Sequence, residues 1–373
     1  MRKPCTRLIG TSSCVVASLV LCACGATPSE PGDDEIPRDS LVVTQVTAGG
    51  SHSCAIDASG HAYCWGWNNR GQLGDGTTTD RAFPVEVNGG LIFVRLAAGA
   101  EHTCGLTTAG ETYCWGRDIA LGDGQGTSDS LEPSPVSGDL TLVTVVAGAF
   151  HSCGLTGNGQ AYCWGERPGR SGHNPVPVQV PGDYSFTSIT AGGGRHTCGL
   201  TAERPVCWGP NGRGQLGNGE GGDINDREDI PVEVETNGAQ FIALSAGGLH
   251  SCALTIAGEA MCWGFNGSGQ IGDGTQARHL VPVAVAGGVR FNSIAAGMNQ
   301  TCGLAKDDTL YCWLGIPAQL SPELKFESVA SGGQHSCAVA LSGAAYCWGA
   351  NFAGQLGDGT TEQRLEPDLV RRR

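Results

Sequence analysis

Methionine is scarce in this chain, three in 373 residues, and only 16% of residues are Asp, Glu, Lys or Arg. Aromatic residues make up 6%. No apolar run reaches the roughly 18–20 residues that a membrane-crossing helix needs. Basic residues are the rarer sign, 22 Lys and Arg against 36 Asp and Glu, for a formal charge of −14. Such a chain lacks the concentrated basic surface of a nucleic-acid binder. Glycine is abundant instead, with 60 residues. Each one in a helix interior costs about 1 kcal/mol relative to alanine, which argues against long helices. Many short strands joined by tight turns suit this composition.

What is present is a repeat. Its clearest copy is Gly50–Gly66, GSHSCAIDASGHAYCWG. Paired cysteines recur in seven variants of it: Cys54/Cys64, Cys104/Cys114, Cys153/Cys163, Cys198/Cys207, Cys252/Cys262, Cys302/Cys312 and Cys337/Cys347. Tryptophan follows the second cysteine every time, and first cysteines lie 50, 49, 45, 54, 50 and 35 residues apart. Self-similarity at such a period marks a repeat architecture.

The N-terminus reads separately. Arg2, Lys3 and Arg7 precede an apolar stretch, Leu8 to Cys22, that ends in Leu21-Cys22-Ala23-Cys24-Gly25. This resembles a bacterial lipobox, with Cys24 after the small Ala23 as the lipidated residue; an ordinary cleaved signal is the alternative. The expected organisation is a lipoprotein signal peptide at 1–23 and a flexible tether at 24–40, rich in proline and acid. A folded domain at 41–370 and a solvated basic tail at 371–373 complete it.

Three cysteines (Cys5, Cys14 and Cys22) leave with the signal and Cys24 takes lipid, so the remaining fourteen form an even set in an oxidising compartment. A hairpin closing at Asp57 and His61, with Gly60 as its left-handed residue, sets Cys54 directly opposite Cys64. The fourth pair has one residue fewer, which a two-residue loop at Ala202-Glu203 absorbs. Disulfides are expected on this register; metal ligation and reduced thiols are the alternatives. Each unit offers at most His, Cys and Cys where structural zinc takes four ligands, and the sixth has Gln300 in place of histidine. Neither metal nor cofactor is expected.

Each full unit reads as four strand signals: a lead-in such as Phe93–Gly99, the two hairpin strands, a Gly-Gln-Leu-Gly-Asp-Gly type loop, and a Pro-Val-x-Val segment. Four short strands in about 50 residues is the size of a propeller blade. The third and sixth units lack the glycine loop, and the sixth much of its outer strand. Residues Leu41–Thr47 are expected as a lead-in strand and Glu366–Val370 as a fourth-strand remnant. The ring then closes either within a blade or by pairing the two ends.

The pattern of His-Ser-Cys, Tyr-Cys-Trp-Gly, Gly-Gln-Leu-Gly and Pro-Val-x-Val resembles the regulator of chromosome condensation repeat over residues 41–370. The resemblance implies an all-β fold, a seven-bladed β-propeller, in an exported, disulfide-stapled bacterial branch. What it implies about function is divided. Guanine-nucleotide exchange, as in the founding member, is opposed here by acidity, the export signal and the lack of a wedge insertion. The tryptophan cluster of the plant photoreceptor is not reproduced, since seven of eight tryptophans belong to the repeat. A secreted β-lactamase inhibitor propeller, which binds protein through its loop face, is the nearer precedent.

Chemistry that would need one constellation is hard to build from repeated residues. His52, His102, His151, His196, His250 and His335 therefore read as framework. Asp75, Asp123, Asp273 and Asp358 are lone acids where calcium needs six or more oxygens. The glycine loops lack the lysine and helix of a phosphate cradle. An Asp-box glycosidase reading fails because Asp57 has no counterpart in most units. Arg167, Arg170, His173 and His279 are the scattered candidates an enzyme would have to use. Residues that vary just after Trp-Gly are Trp67, Arg117, Glu166, Pro210, Phe265 and Ala350, with Phe352 nearby. Trp67, Arg117, Phe265 and Phe352 are the expected binding face, because aromatics and arginine anchor interfaces; packing against neighbouring blades is the competing role. The overall expectation is a non-catalytic, monomeric scaffold for an unidentified protein partner. It would not bind nucleic acid, and would sit on a bacterial cell envelope, touching membrane only through its lipid.

Overall fold

Alternating apolar residues in the units become strand pairing. The computed structural model describes residues 37–126, 128–167 and 172–373. It contains seven four-stranded antiparallel sheets, each built from four consecutive strands. In blade one these are Gln45–Ala48, His52–Ile56, Ala62–Gly66 and Arg81–Glu86. The other blades span 93–135, 142–179, 186–233, 241–284, 291–319 and 326–369. They stand in a ring, a seven-bladed β-propeller, with the first strand of each nearest the axis.

Each hairpin has the expected register. Cys54 pairs with Cys64, and Asp57 N–H reaches the His61 carbonyl at 3.1 Å. Gly60 closes the loop at φ 88°, and the Asp57 carboxylate accepts the Ser59 and His61 N–H groups, which leaves it a turn-forming residue. In blade four Cys198 pairs with Cys207, and Thr201 N–H bonds Arg204 O around the two-residue turn.

The expected pairing of cysteines holds throughout. Cys54 is bonded to Cys64, Cys104 to Cys114, Cys153 to Cys163 and Cys198 to Cys207. Cys252 is bonded to Cys262, Cys302 to Cys312 and Cys337 to Cys347. Cα–Cα separations are 4.0 to 4.1 Å, the spacing of directly opposed residues in a non-hydrogen-bonded pair. The bonded cysteines are members of the cores. Cys114, Cys262 and Cys347 have no exposed surface at all. Cys114 packs with Leu121 and Trp164 of the second seam, Cys262 with Ile271 and Ala296 of the fifth, and Cys347 with Leu41, Leu356 and Trp65 of the seventh. They staple hairpins; Cys163 and Cys312 are only partly buried.

The cores lie between blades. Cys54 and Cys64 of blade one pack with Leu73, Val87 and, from blade two, Phe93, Leu96 and Trp115. Burying each large apolar side chain contributes about 1.5–3 kcal/mol, so blades stabilise one another. The glycine after tryptophan follows from backbone crowding within the blade. At Gly66, φ is 101° and a Cβ would meet Ser51 O at 2.7 Å.

Three expectations at the ends change. The first strand begins at Gln45, because Leu41 and Val43 bond Val370 and Gly343 of blade seven instead. The last strand is complete, Arg364–Leu369, and no remnant. Residues 37–40 and 371–372, expected in the tether and the solvated tail, are engaged with each other. Ser40 bridges Arg371, the Arg371 guanidinium meets Asp39 at 2.7 Å, and Arg372 lies 5.6 Å over the Tyr63 ring. The ring thus closes by pairing chain ends beside blade seven, with every blade contiguous in sequence. One further expectation shifts: proline sits inside the outer strand, as Pro84 does in Arg81–Glu86, and not at its start. An edge strand tolerates it because one side needs no donor. Blade six keeps only Ala318–Gln319 as its outer strand. The signal segment and Cys24 lie outside the described residues.

Candidate functional site

The repeated histidines are fully buried and form a circle. His52 Nε2 contacts Thr103 Oγ1 of the next blade at 2.9 Å. The same step links His102 to Ser152, His151 to Thr197, His196 to Ser251 and His250 to Thr301 at 2.8–2.9 Å. Gln300 takes the place in blade six, reaching Ser336 at 2.7 Å, and His335 closes on Ser53 at 2.8 Å. The hydroxyl of Thr103 donates its one proton to Gln72 O at 2.9 Å, so it must accept from His52 Nε2–H. That bond fixes the tautomer and leaves Nδ1 bare. Burial pushes the pKa down to about 3 for His52, His102 and His196, and to about 4 for His151, His250 and His335. These imidazoles are neutral framework at neutral pH.

Tryptophan and the glycine loop form the second inter-blade link. Trp115 Nε1 donates to Gln72 O at 3.0 Å, and Leu73 beside it is buried. Asn68 holds that loop from within: its Oδ1 accepts Leu73 N–H at 3.0 Å, and its Nδ2 reaches Asp75 and Thr77 O. Asn211, Asn266 and Asn351 repeat the role. Sequence reasoning misses these asparagines, although each stands two residues after the glycine of Trp-Gly. Burial alone would raise the Asp75 carboxyl. Hydrogen bonds from Thr77 and Arg81 outweigh it and hold its pKa below the usual range. Asp75 is therefore occupied by its own loop and offers no open cation ligand. Among the described residues no three His, Cys, Asp or Glu side chains gather to hold a metal ion.

The axis offers little chemistry. Its cavity has about 80 Å³ of space for water and is lined by alanine, glycine, Met298 and Ser331, without an acid or base among the described residues. The enzyme candidates do not converge either. His279 binds Asp273 of its own loop at 2.7 Å in blade five, and His173 starts an outer strand in blade three. Arg167 lines a separate groove with Trp208, and Arg170 lies outside the described residues.

The variable positions do share a face. Backbone N–H groups of Trp67, Arg117, Glu166, Phe265 and Ala350 bond the carbonyls of Ser51, Glu101, Phe150, Leu249 and Gln334, each just before the histidine position. Two variable residues per blade therefore stand side by side around one rim. Across blades one to four this rim carries a charged chain. Arg70 meets Asp129 at 3.2 Å, Arg117 meets Glu101 at 2.5 Å, and Arg195 meets Glu166 at 3.2 Å. Arg117 and Arg195 lie over the Phe150 ring at 4.6 and 5.5 Å. Phe150 does not stand out in the sequence; its signal is that the residue before each histidine varies. Trp67 is half-buried on the rim, Phe265 is half-buried under Arg213 at 5.5 Å, and Phe352 is 63% exposed. The four residues expected to bind occupy one rim and do not form one cluster.

Seven disulfides fit an oxidising, extracytoplasmic setting. No helix among the described residues is long and apolar enough to cross a membrane.

Comparison with known proteins gives the same architecture. The chain is 30% identical over 156 residues to the Ultraviolet-B receptor UVR8 of Arabidopsis thaliana, 39% of this chain and 34% of the receptor. It is 31% identical over 164 residues to the mitochondrial RCC1 domain-containing protein RUG3 of the same plant, 40% and 36% of the two chains. The match thus spans about a third of each relative. Among solved structures, human WBSCR16 superposes with a TM-score of 0.74 at 19% identity, covering 83% of this chain and 93% of that one. Prp20p from Saccharomyces cerevisiae, studied with Gsp1p and histones, gives 0.74 at 23%, covering 85% and 87%. Two descriptions of the Regulator of chromosome condensation (RCC1) repeat match, one over 59–106, 207–254, 257–304 and 342–372, the other over 43–72, 93–125, 142–167, 241–270 and 326–355. With most of the propeller so matched, the chain belongs to the regulator of chromosome condensation repeat family.

Proposed function

We propose that this protein is a non-catalytic binding scaffold, exported and held to a bacterial envelope by lipid on Cys24, that captures a protein partner on its variable rim. One observation carries the reading: the repeated polar residues are spent on joining blades, while arginines and aromatics that the repeat does not require collect on one rim. Aromatic and arginine side chains dominate interface energetics because they bury much area at low entropic cost. Five rim residues, Trp67, Arg117, Glu166, Phe265 and Ala350, are fixed by a backbone bond to the neighbouring loop. Two-signed charge favours an oriented protein partner over a polyanion.

The test is affinity capture from envelope extract with purified wild-type protein and with Trp67→Ala, Arg117→Ala and Phe352→Ala. Loss of the same partner in at least one variant, with unchanged thermal melting, supports the rim. Equal capture by all of them removes it. Inhibition of a secreted enzyme would use the same rim, and adding the captured partner to its own activity assay identifies that case.

A further inference from the structure

Five of the seven seams between blades are filled in one way. A buried leucine or isoleucine from the loop of one blade lies against the tryptophan of the next: Leu73, Leu121, Leu216, Ile271 and Leu356. The indole N–H of that tryptophan donates to the loop carbonyl just before it, at 2.9–3.1 Å for Trp65, Trp115, Trp164, Trp263 and Trp313. Four of those carbonyls also accept a hydroxyl, as Gln270 O does from Thr301 at 2.8 Å.

Blade six has no loop to give. After Trp313 the chain passes through Leu314 and Ile316 directly to its two-residue outer strand. Trp348 of blade seven is 5% exposed, and among the described residues no acceptor meets its indole N–H. Ser336, which would share that carbonyl, turns to Ser331 at 3.0 Å. The space left is a cavity of about 460 Å³, lined by Trp313, Leu314, Leu320, Trp348, Arg364 and Leu365. Leu314 and Leu365 stand 63% and 79% exposed at its mouth. The slot is mixed, with Gln300, Gln334 and Gln363 beside the leucines and tryptophans, and an indole N–H without a protein acceptor among the described residues has a definite complement there. It needs one carbonyl oxygen followed by one branched aliphatic side chain.

We infer that the seam between blades six and seven is a binding slot for an extended peptide segment of a partner protein. The segment reads small residue, polar residue, Leu or Ile, glycine, and takes the place of the missing loop. Its carbonyl before the aliphatic residue accepts from Trp348 Nε1, and the aliphatic side chain enters between Trp348 and Leu320. Glycine follows because the sister loops turn there with positive φ, 71° at Gly74 and 69° at Gly357. The slot goes beyond the rim reading and does not depend on Trp67 or Arg117.

The experiment uses the full oxidised protein and a fluorescein-labelled peptide with the sequence of residues 351–359, Asn-Phe-Ala-Gly-Gln-Leu-Gly-Asp-Gly. Fluorescence anisotropy should show saturable binding, lost when the peptide leucine is replaced by aspartate. Trp348→Phe, which keeps the ring and removes the N–H, should weaken it roughly tenfold, the worth of one hydrogen bond. Leu365→Glu, at an exposed site that does not threaten folding, should weaken it as well. Trp67→Ala should leave it unchanged, which separates this slot from the rim. No saturable binding up to about 1 mM peptide, or equal affinity in Trp348→Phe and Leu365→Glu, overturns the slot. Binding lost in Trp208→Phe and kept in Trp348→Phe places it at another seam and overturns it too. Concentration-dependent dimerisation abolished by Trp348→Phe would make the occupant a second copy and overturn the partner-protein assignment.

Discussion

The seam between blades one and two and the seam between blades six and seven are built on the same plan, and one of them is unfinished. In the first, Trp115 has an acceptor in Gln72 O, Leu73 fills the space beside it, and Asn68 holds the loop. In the second, Trp348 has the same place in its blade and packs near Leu304, Leu310 and Leu320, but blade six supplies no glycine loop with its leucine and asparagine. Yet the histidine-level link survives in both, as His52 to Thr103 and as Gln300 to Ser336. Ring integrity at the second seam therefore rests on the inner link and on the apolar core of Leu304, Leu310, Phe326 and Trp348, and the outer link can be dispensed with locally. That is the condition under which a repeat protein can open a seam without falling apart.

Truncating the two tryptophans should break the symmetry of this comparison most visibly. Trp115→Ala removes a fully buried indole, its hydrogen bond and the wall of a packed core, so it should cost about 3–5 kcal/mol. Trp348→Ala deletes a ring that already faces a cavity and has no indole hydrogen bond among the described residues to lose, so its cost should fall nearer the low end or below. Urea unfolding of both variants measures the difference. Equal losses would mean that the open seam is packed as tightly as the filled one.

The disulfides come next in size. Each closes a hairpin whose cysteines are 9 or 10 residues apart. Loop-closure entropy gives at most about 3 kcal/mol apiece, less where the hairpin is already local. Cys54 and Cys64 to alanine should cost up to that amount. Replacing Cys302 and Cys312, in the blade with the shortest outer strand, should cost more, because less sheet remains to hold that hairpin together. Thermal melting of the two double variants ranks them.

This difference between seams also explains what could be read in advance. Cysteine register, the Gly60 turn and the absence of loops in units three and six all follow from local spacing, where one residue determines what its neighbours face. The exchange between Gln72 O, Trp115 and Thr103 does not. It joins residues 31 and 43 positions apart through a carbonyl that has no sequence signature. The same holds for the ends. Arg371 reads as part of a solvated tail because its partner, Asp39, lies 332 residues away. The rim was legible as a set of positions but not as a charged chain, since Phe150 gains its meaning only from two arginines on other blades.

Acid should act on the ring common to both seams. The folded histidines titrate at about 3–4 against 6.5 when unfolded, so below pH 6.5 the unfolded chain takes up protons first. Stability is then lost as pH falls from about 6.5 toward 4, by up to about 1.4 kcal/mol per pH unit for each such histidine. The lowered carboxyls of Asp75, Asp273 and Asp358 add to the loss only at lower pH, below the ordinary carboxylate range. A urea midpoint that stays level from pH 7 to 5 would contradict the buried neutral ring.

The smallest effect sharpens the same point. Blade six shows that glutamine serves at the histidine position, its amide meeting Ser336 where the His102 ring meets Ser152. His102→Gln should therefore cost only about 1 kcal/mol at pH 7.5, chiefly from lost packing around a smaller side chain. At pH 5 the variant should recover part of that loss relative to wild type, because one group that the unfolded chain would protonate is gone. Urea unfolding at the two pH values gives the double difference. A penalty that is the same at both would mean that His102 does not titrate on unfolding, and the acid sensitivity would then belong to the loop carboxylates and not to the ring.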